Sequence, residues 1–120
     1  MLHKEITEKI IGASFEVYNE LGYGFLEKVY KNAMQVELIQ RGCSCQTEHQ
    51  IKVGYKGAIV GDYYADLFVD DTVIVELKIA KQYNPADEAQ LLNELKATGT
   101  KVGLLINFGE EKVEFKRMVY

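Results

Sequence analysis

Apolar and polar positions along the chain sort into two periods. From Ile6 to Leu21 the apolar residues Ile6, Ile10, Ala13, Val17 and Leu21 recur at three and four, with Glu5, Glu8, Lys9, Glu16 and Glu20 between them, the pattern of an amphipathic helix. Gly22 and Gly24 end it with a cap and a turn. A second helix follows, on which Leu26, Val29, Ala33, Val36 and Ile39 keep the period, and Arg41-Gly42 closes it with a cation and then a glycine. The period then drops to two. Glu48 to Tyr55 alternates Ile51, Val53 and Tyr55 against Gln50, Lys52 and Gly54; Lys56-Gly57 reads as a hairpin turn. Ala58 to Val69 is a second strand, bent near Gly61, and Val73 to Ile79 a third, with Asp70-Asp71 turning between them. Asn84 to Thr98 is a helix: Asn84 can cap it, Pro85 suits its first position, and Asp87 and Glu88 suit its positive end. On it Ala89, Leu92, Leu95 and Lys96 track one stripe. Lys101 to Phe108 reads as a buried strand, and Val113 to Val119 as an edge strand. The order is helix, helix, three antiparallel strands, helix, strand, short strand.

The polar residues that interrupt this pattern carry the chemistry. Asp66 and Glu76-Leu77-Lys78 sit in two apolar runs where packed strands normally carry Val or Ile. Burying a carboxylate or an ammonium costs several kcal/mol, on the order of the desolvation penalty, unless it is paired or holds a metal. A hairpin at Asp70-Asp71 puts Asp66 opposite or nearly opposite Glu76. Alternation puts Glu76 and Lys78 on one face, with Val75, Leu77 and Ile79 on the other. Two carboxylates and one ammonium thus converge. Hard oxygen ligands suit Mg²⁺ or Mn²⁺, and a lysine beside them can position a water or stabilise charge on phosphate. A strand-to-strand ion pair of Lys78 with Glu76 or Asp66 is the structural alternative. Gln90, inside Ala89-Gln90-Leu91-Leu92, can orient a metal ligand or simply face outward. Glu27 stands at the start of the second helix with Tyr30 one turn on and on the same face; the helix dipole alone would favour a glutamate there.

Bulk properties narrow the classes. At 120 residues the chain suits one domain spanning 1–120, with 48% apolar and 27% charged residues. The net charge of −4 argues against a broad DNA-coating surface. The N-terminus lacks the apolar core of a signal peptide, and no apolar run approaches the roughly 20 residues of a membrane helix, so a cytoplasmic protein without a membrane partner is expected. Cys43 and Cys45 have no second pair for zinc and read as two reduced thiols near a strand start. His3 and His49 are the only histidines, and no serine elbow stands near either, which disfavours a nucleophilic hydrolase.

Asp66 with Glu76-Leu77-Lys78 resembles the signature of the PD-(D/E)XK nuclease superfamily. Gly24-Phe25-Leu26-Glu27-Lys28-Val29-Tyr30 matches GxxExxY, the motif naming a small bacterial and archaeal protein family within it. Ala89-Gln90-Leu91-Leu92-Asn93, Gly103 to Gly109 and Lys116-Arg117 also resemble that family, so the likeness runs from about Ile6 to Tyr120. The resemblance implies an α+β, restriction-endonuclease-like fold: a mixed central sheet flanked by helices. It implies Mg²⁺ (or Mn²⁺) on Asp66 and Glu76, with the Leu77 carbonyl as a third ligand and Glu27 ligating directly or through water. Lys78 would position the attacking water, with Gln90 and Tyr30 in support. The implied reaction is phosphodiester hydrolysis in nucleic acid, DNA in preference to RNA. Its small size points to action as a homodimer or with a partner protein. The family often has His three residues before the helix glutamine and Tyr four after it; here those positions are Asp87 and Glu94. Those two acids, with the net charge, favour the other reading, a non-catalytic module of the same fold that binds a protein or nucleic acid; whether the chain is an enzyme stays open at this point.

Overall fold

The computed structural model describes residues 1–120 throughout. Its elements are α1 (Lys4–Leu21), α2 (Glu27–Gln40), β1 (Cys45–Tyr55), β2 (Ala58–Val69), β3 (Val73–Lys78), a 3-10 turn (Pro85–Asp87) leading into α3 (Glu88–Thr98), β4 (Val102–Phe108) and β5 (Val113–Val119). The five strands form one sheet in the order β1-β2-β3-β4-β5. Strands β3 and β4 are parallel, joined through α3; every other neighbouring pair is antiparallel. The architecture is the mixed, helix-flanked sheet of the restriction-endonuclease-like class.

Local chemistry explains the turns. Lys56 (φ 47°) and Gly57 (φ 82°) are both left-handed, as are Asp70 (φ 50°) and Asp71 (φ 54°). Two successive left-handed residues match the right-handed twist of a hairpin. The Asp70 carboxylate adds an anchor, accepting from the Ser44 N–H at 2.7 Å. Near Gly61 the β1–β2 register shifts between Val53 and Gly54, a bulge at the expected bend. Asn84 accepts from the Ala86 N–H at 3.0 Å and Pro85 opens the turn, so the start of this helical segment follows its capping residues.

Helices α1 and α2 cover one face of the sheet. There Ile10, Ala13, Val17, Tyr30, Met34 and Leu38 pack on Leu67, Val75, Leu77, Leu104, Ile106 and Phe108. The smaller α3 covers the other face, with Leu91 and Leu95 on Ile51, Ala65, Ile74 and Leu105. Two helical stripes differ from the sequence expectation. On α2 the buried series is Tyr30, Met34 and Leu38, while Leu26, Val36 and Ile39 are exposed. The helix carries two interleaved apolar series, and the bulkier one fills the space over the sheet, with the Tyr30 ring stacked on Phe108 at 4.6 Å between centroids. On α3 the buried residues are Leu91, Glu94 and Leu95, not Ala89, Leu92 and Lys96. Gly103 on β4 sets this rotation. A Cβ there would lie 2.9 Å from Leu91 Cδ1 and 3.1 Å from Leu95 Cδ2, so the missing side chain makes the slot for both leucines. Cys43 and Cys45 are unpaired and buried, and burial pushes the Cys45 thiol up to about 11. No helix is long and apolar enough to cross a membrane.

Candidate metal centre

The site forms where the sheet comes apart. The β2–β3 pairing runs Val69↔Val73, Phe68↔Ile74, Leu67↔Val75 and then stops. The next pair would be Asp66 with Glu76. Instead their side chains take over the hydrogen bonding. The Asp66 N–H donates to Glu76 Oε1 at 2.8 Å, and the Leu77 N–H donates to Asp66 Oδ2 at 2.7 Å. The neighbouring edge is irregular as well. Glu48, between the pairs Thr47↔Leu67 and His49↔Ala65, has φ 54°, a costly conformation for a non-glycine residue inside a strand. Across Asp66 the alternation of faces fails: Ala65 packs under α3 while Leu67 packs under α1 and α2. The N–H and C=O of one strand residue project to the same side. The Leu77 carbonyl therefore faces the same gap as the Leu77 N–H that Asp66 receives.

Glu76 lies on the α3 face and is 6% exposed. Burial, then the charges of Asp66 and Glu94, push its carboxyl up to about 8; the Asp66 N–H and the Lys78 ammonium offset part of this. Glu27 is the first residue of α2. Gly22 (φ 71°) and Gly24 (φ 115°) make the turn before it, and the Tyr30 hydroxyl fastens that turn by donating to the Gly22 carbonyl at 2.5 Å. Tyr30 thus acts on the site through the backbone that places Glu27. Burial, the Asp66 charge and a hydrogen bond with Asp66 raise the Glu27 carboxyl, while Lys78 and Lys31 draw it down.

Lys78, half-buried at the end of β3, takes part in none of the four ion pairs of the protein. The strand-to-strand salt bridge is therefore not what holds it. Asn107 fixes the chain just beyond it, donating to the Ala80 carbonyl and accepting from the Ala80 N–H, both at 3.0 Å. Replacing Asn107 by Ala should leave both backbone groups unpaired and cost about 1–3 kcal/mol in chemical unfolding. An unchanged unfolding midpoint would show that water replaces the clamp.

Glu94 is the site residue that sequence reasoning did not place here. It is 3% exposed, Gln90 Nε2 donates to its Oε2 at 3.1 Å, and its Oε1 is buried with no hydrogen-bond partner. Burial and the Asp66 charge raise its carboxyl; the Gln90 hydrogen bond, the neighbouring Glu76 carboxyl and the Lys78 charge act the other way. Its signal in the sequence is its place between Leu91 and Leu95, at three and one residues, on the face that packs inward. Gln90 meets the site only through Glu94. Asp87 stands apart, at the head of α3 next to Tyr83. Lys116-Arg117 lies on β5, where the Arg117 guanidinium donates to the Leu2 carbonyl and ties the chain start to the edge strand.

Four acids, Glu27, Asp66, Glu76 and Glu94, thus surround one lysine at a gap in the sheet. As the side chains stand, no three acids are gathered at metal-ligating distances. Asp66 and Glu76 each direct one oxygen to a backbone N–H, as above. The donor set still fits a hard divalent cation: it is all oxygen, it has excess negative charge, and one buried oxygen has no partner. A groove of about 680 Å³ opens beside it between α3 and the β1–β2 hairpin, lined by Ile51, Tyr63, Gln90, Glu94 and Lys96 among others.

A split strand pair with a D…ExK set on a mixed sheet defines a nuclease-like class of folds. The chain belongs to the PD-(D/E)XK nuclease superfamily, whose family model matches residues 4–118. It is also similar to a solved protein, "Crystal structure of SSO0001", at 12% identity and a TM-score of 0.50, over 95% of this chain and 77% of that one. At that identity the likeness shows the fold alone. No curated protein matches the chain.

Proposed function

We propose that this chain is a Mg²⁺- or Mn²⁺-dependent nuclease of the GxxExxY group, hydrolysing phosphodiester bonds of DNA in preference to RNA within one domain. The observation that carries this reading is the break in the β2–β3 pairing, which gathers Asp66, Glu76 and Lys78 beside Glu27. Asp66, Glu76, Glu27 and the Leu77 carbonyl would hold the cation. When bound, it supplies Lewis-acid polarisation of a phosphoryl oxygen and a lowered pKa for water. The Lys78 ammonium, free of ion pairs, orients the attacking water and balances charge that grows on the phosphate oxygens. Gln90 fixes Glu94, and Tyr30 fixes the turn from which Glu27 projects. The groove brings Tyr63, 49% exposed, to its wall, a ring on which a base can stack, and Lys96 to face a phosphate. With a net charge of −4, the isolated chain holds nucleic acid weakly, and a second copy or a partner protein supplies the missing affinity in the cytoplasm.

The test is a Mn²⁺ titration by calorimetry of the wild type and Asp66→Asn, followed by cleavage of labelled DNA and RNA oligonucleotides. The expected result is saturable binding in the wild type, lost in a folded Asp66→Asn protein, with cleavage that EDTA abolishes. Absence of Mn²⁺ binding at millimolar metal, with and without a DNA oligonucleotide present, would replace this reading by that of a non-catalytic module.

A further inference from the structure

We infer that Glu94 is a direct carboxylate ligand of the divalent cation, joining Asp66 and Glu76 from the helix side of the site. The inference rests on the metal-dependent reading above and adds a residue to it. Glu94 is 3% exposed, so its charge is not there for solubility. One of its oxygens is already occupied, because Gln90 Nε2 donates to Oε2 at 3.1 Å. That bond fixes the rotation of the carboxylate and leaves Oε1 buried with no partner. An unpaired buried oxygen on an acid is costly, and few such atoms survive in a folded chain without a use. The side chains facing Glu94 are Asp66, Glu76 and Lys78. The Lys78 ammonium, the charged donor on that side, makes no hydrogen bond to Oε1. A cation seated between Asp66, Glu76 and Glu94 would satisfy it, with the three carboxylates drawing in from positions where no three acids stand at ligating distance. Glu94 also lines the groove between α3 and the β1–β2 hairpin, beside Gln90.

Geometry supports a ligand more than a distant charge. Glu94 stands close enough to Asp66 and Glu76 for their charges to act on one another. Glu94 comes from α3 and Asp66 and Glu76 from β2 and β3, so their separation depends on how α3 seats Leu91 and Leu95 over Gly103. Metal binding would therefore tighten α3 against the sheet.

The experiment is Mn²⁺ binding to the full chain, by calorimetry and by the loss of the free-Mn²⁺ electron paramagnetic resonance signal, for wild type, Asp66→Asn, Glu94→Gln and Glu94→Asp. Folding of each variant is checked by circular dichroism. Glu94→Gln keeps the size and removes the charge; Glu94→Asp keeps the charge and withdraws the oxygens by one methylene. A loss of roughly tenfold or more in affinity in both Glu94 variants is expected, in line with losses seen around metal ligands. If Glu94→Asp binds as the wild type does, Glu94 acts only through its charge and the inference is overturned. It is equally overturned if Glu94→Gln binds like the wild type while Asp66→Asn does not, an outcome that leaves the nuclease reading standing. If the wild type itself binds no Mn²⁺, both fall. Should Glu94→Gln not fold, Glu94→Asp decides alone.

Discussion

Glu76→Gln is expected to raise the stability of the metal-free protein, although it alters a buried residue in the middle of the sheet. The glutamine keeps Oε1 as the acceptor for the Asp66 N–H and can offer Nε2 to the unpaired oxygen of Glu94. What it removes is a carboxyl whose charged form is penalised by burial and by two neighbouring acids. The pH dependence follows in sign. Glu76 titrates near the ordinary carboxylate value in the unfolded chain, 4.5, and at about 8 in the folded one. Between those values the folded state holds the proton and the unfolded state has released it. The stability contributed by the Glu76 proton is therefore full below about 4.5 and is lost as pH rises through about 8. Glu76→Gln lacks this slope, so the gap between variant and wild type widens from pH 5 to pH 9. A displacement of one pH unit corresponds to about 1.4 kcal/mol, which makes the final gap on the order of a few kcal/mol. Mn²⁺ should act in the opposite direction in the wild type, since cation and proton compete, and should do nothing for Glu76→Gln. Melting curves from pH 5 to pH 9, with and without Mn²⁺, measure all of this. A variant that melts below the wild type at pH 8 without metal would show that Glu76 is held as a structural acid.

The second large effect is expected at Lys78. Lys78→Met should cut the rate of oligonucleotide cleavage by about 10²–10³, the range typical for loss of one group that stabilises developing charge. Metal binding should survive, because a lysine is no ligand and its removal strengthens the local negative field. Parallel Mn²⁺ titrations and single-turnover cleavage separate the two roles. Equal cleavage by Lys78→Met and wild type would reduce Lys78 to a counter-charge for the four acids. Loss of metal binding along with activity would mean that the ammonium holds the carboxylates in place.

Most of the sheet and the heart of the site are legible in the sequence because strands announce themselves twice. Their alternation fixes the face of each side chain, and paired left-handed turn residues fix the register; together these bring Asp66 near Glu76. The helices are less legible for a physical reason. A helix with two apolar series, as on α2, does not say which one meets the sheet; the ring of Phe108 and the bulk of Tyr30, Met34 and Leu38 decide it in three dimensions. The same ambiguity hid Glu94. Counting Ala89, Leu92 and Lys96 as the inner stripe turns Glu94 outward, where it reads as one more surface acid. Only the slot at Gly103, a feature of another strand, rotates α3 so that Leu91 and Leu95 enter the core and Glu94 comes with them. The break in the β2–β3 pairing is likewise invisible from propensity, since Tyr63 to Val69 is good strand sequence throughout.

The two side chains that stand in for the missing backbone pairing set a limit on how this protein can change. The amides of Asp66 and Leu77 rest on oxygens that belong to Glu76 and Asp66. Alanine at either position would strand an amide inside the sheet and confound any assay of chemistry with loss of the fold; Asn and Gln would not. A descendant that lost catalysis altogether would still need an oxygen at both places. Drift there is confined to acids and their amides, and it is the acid in place of the amide, rather than the polar residue itself, that would mark a chain still under selection for its chemistry.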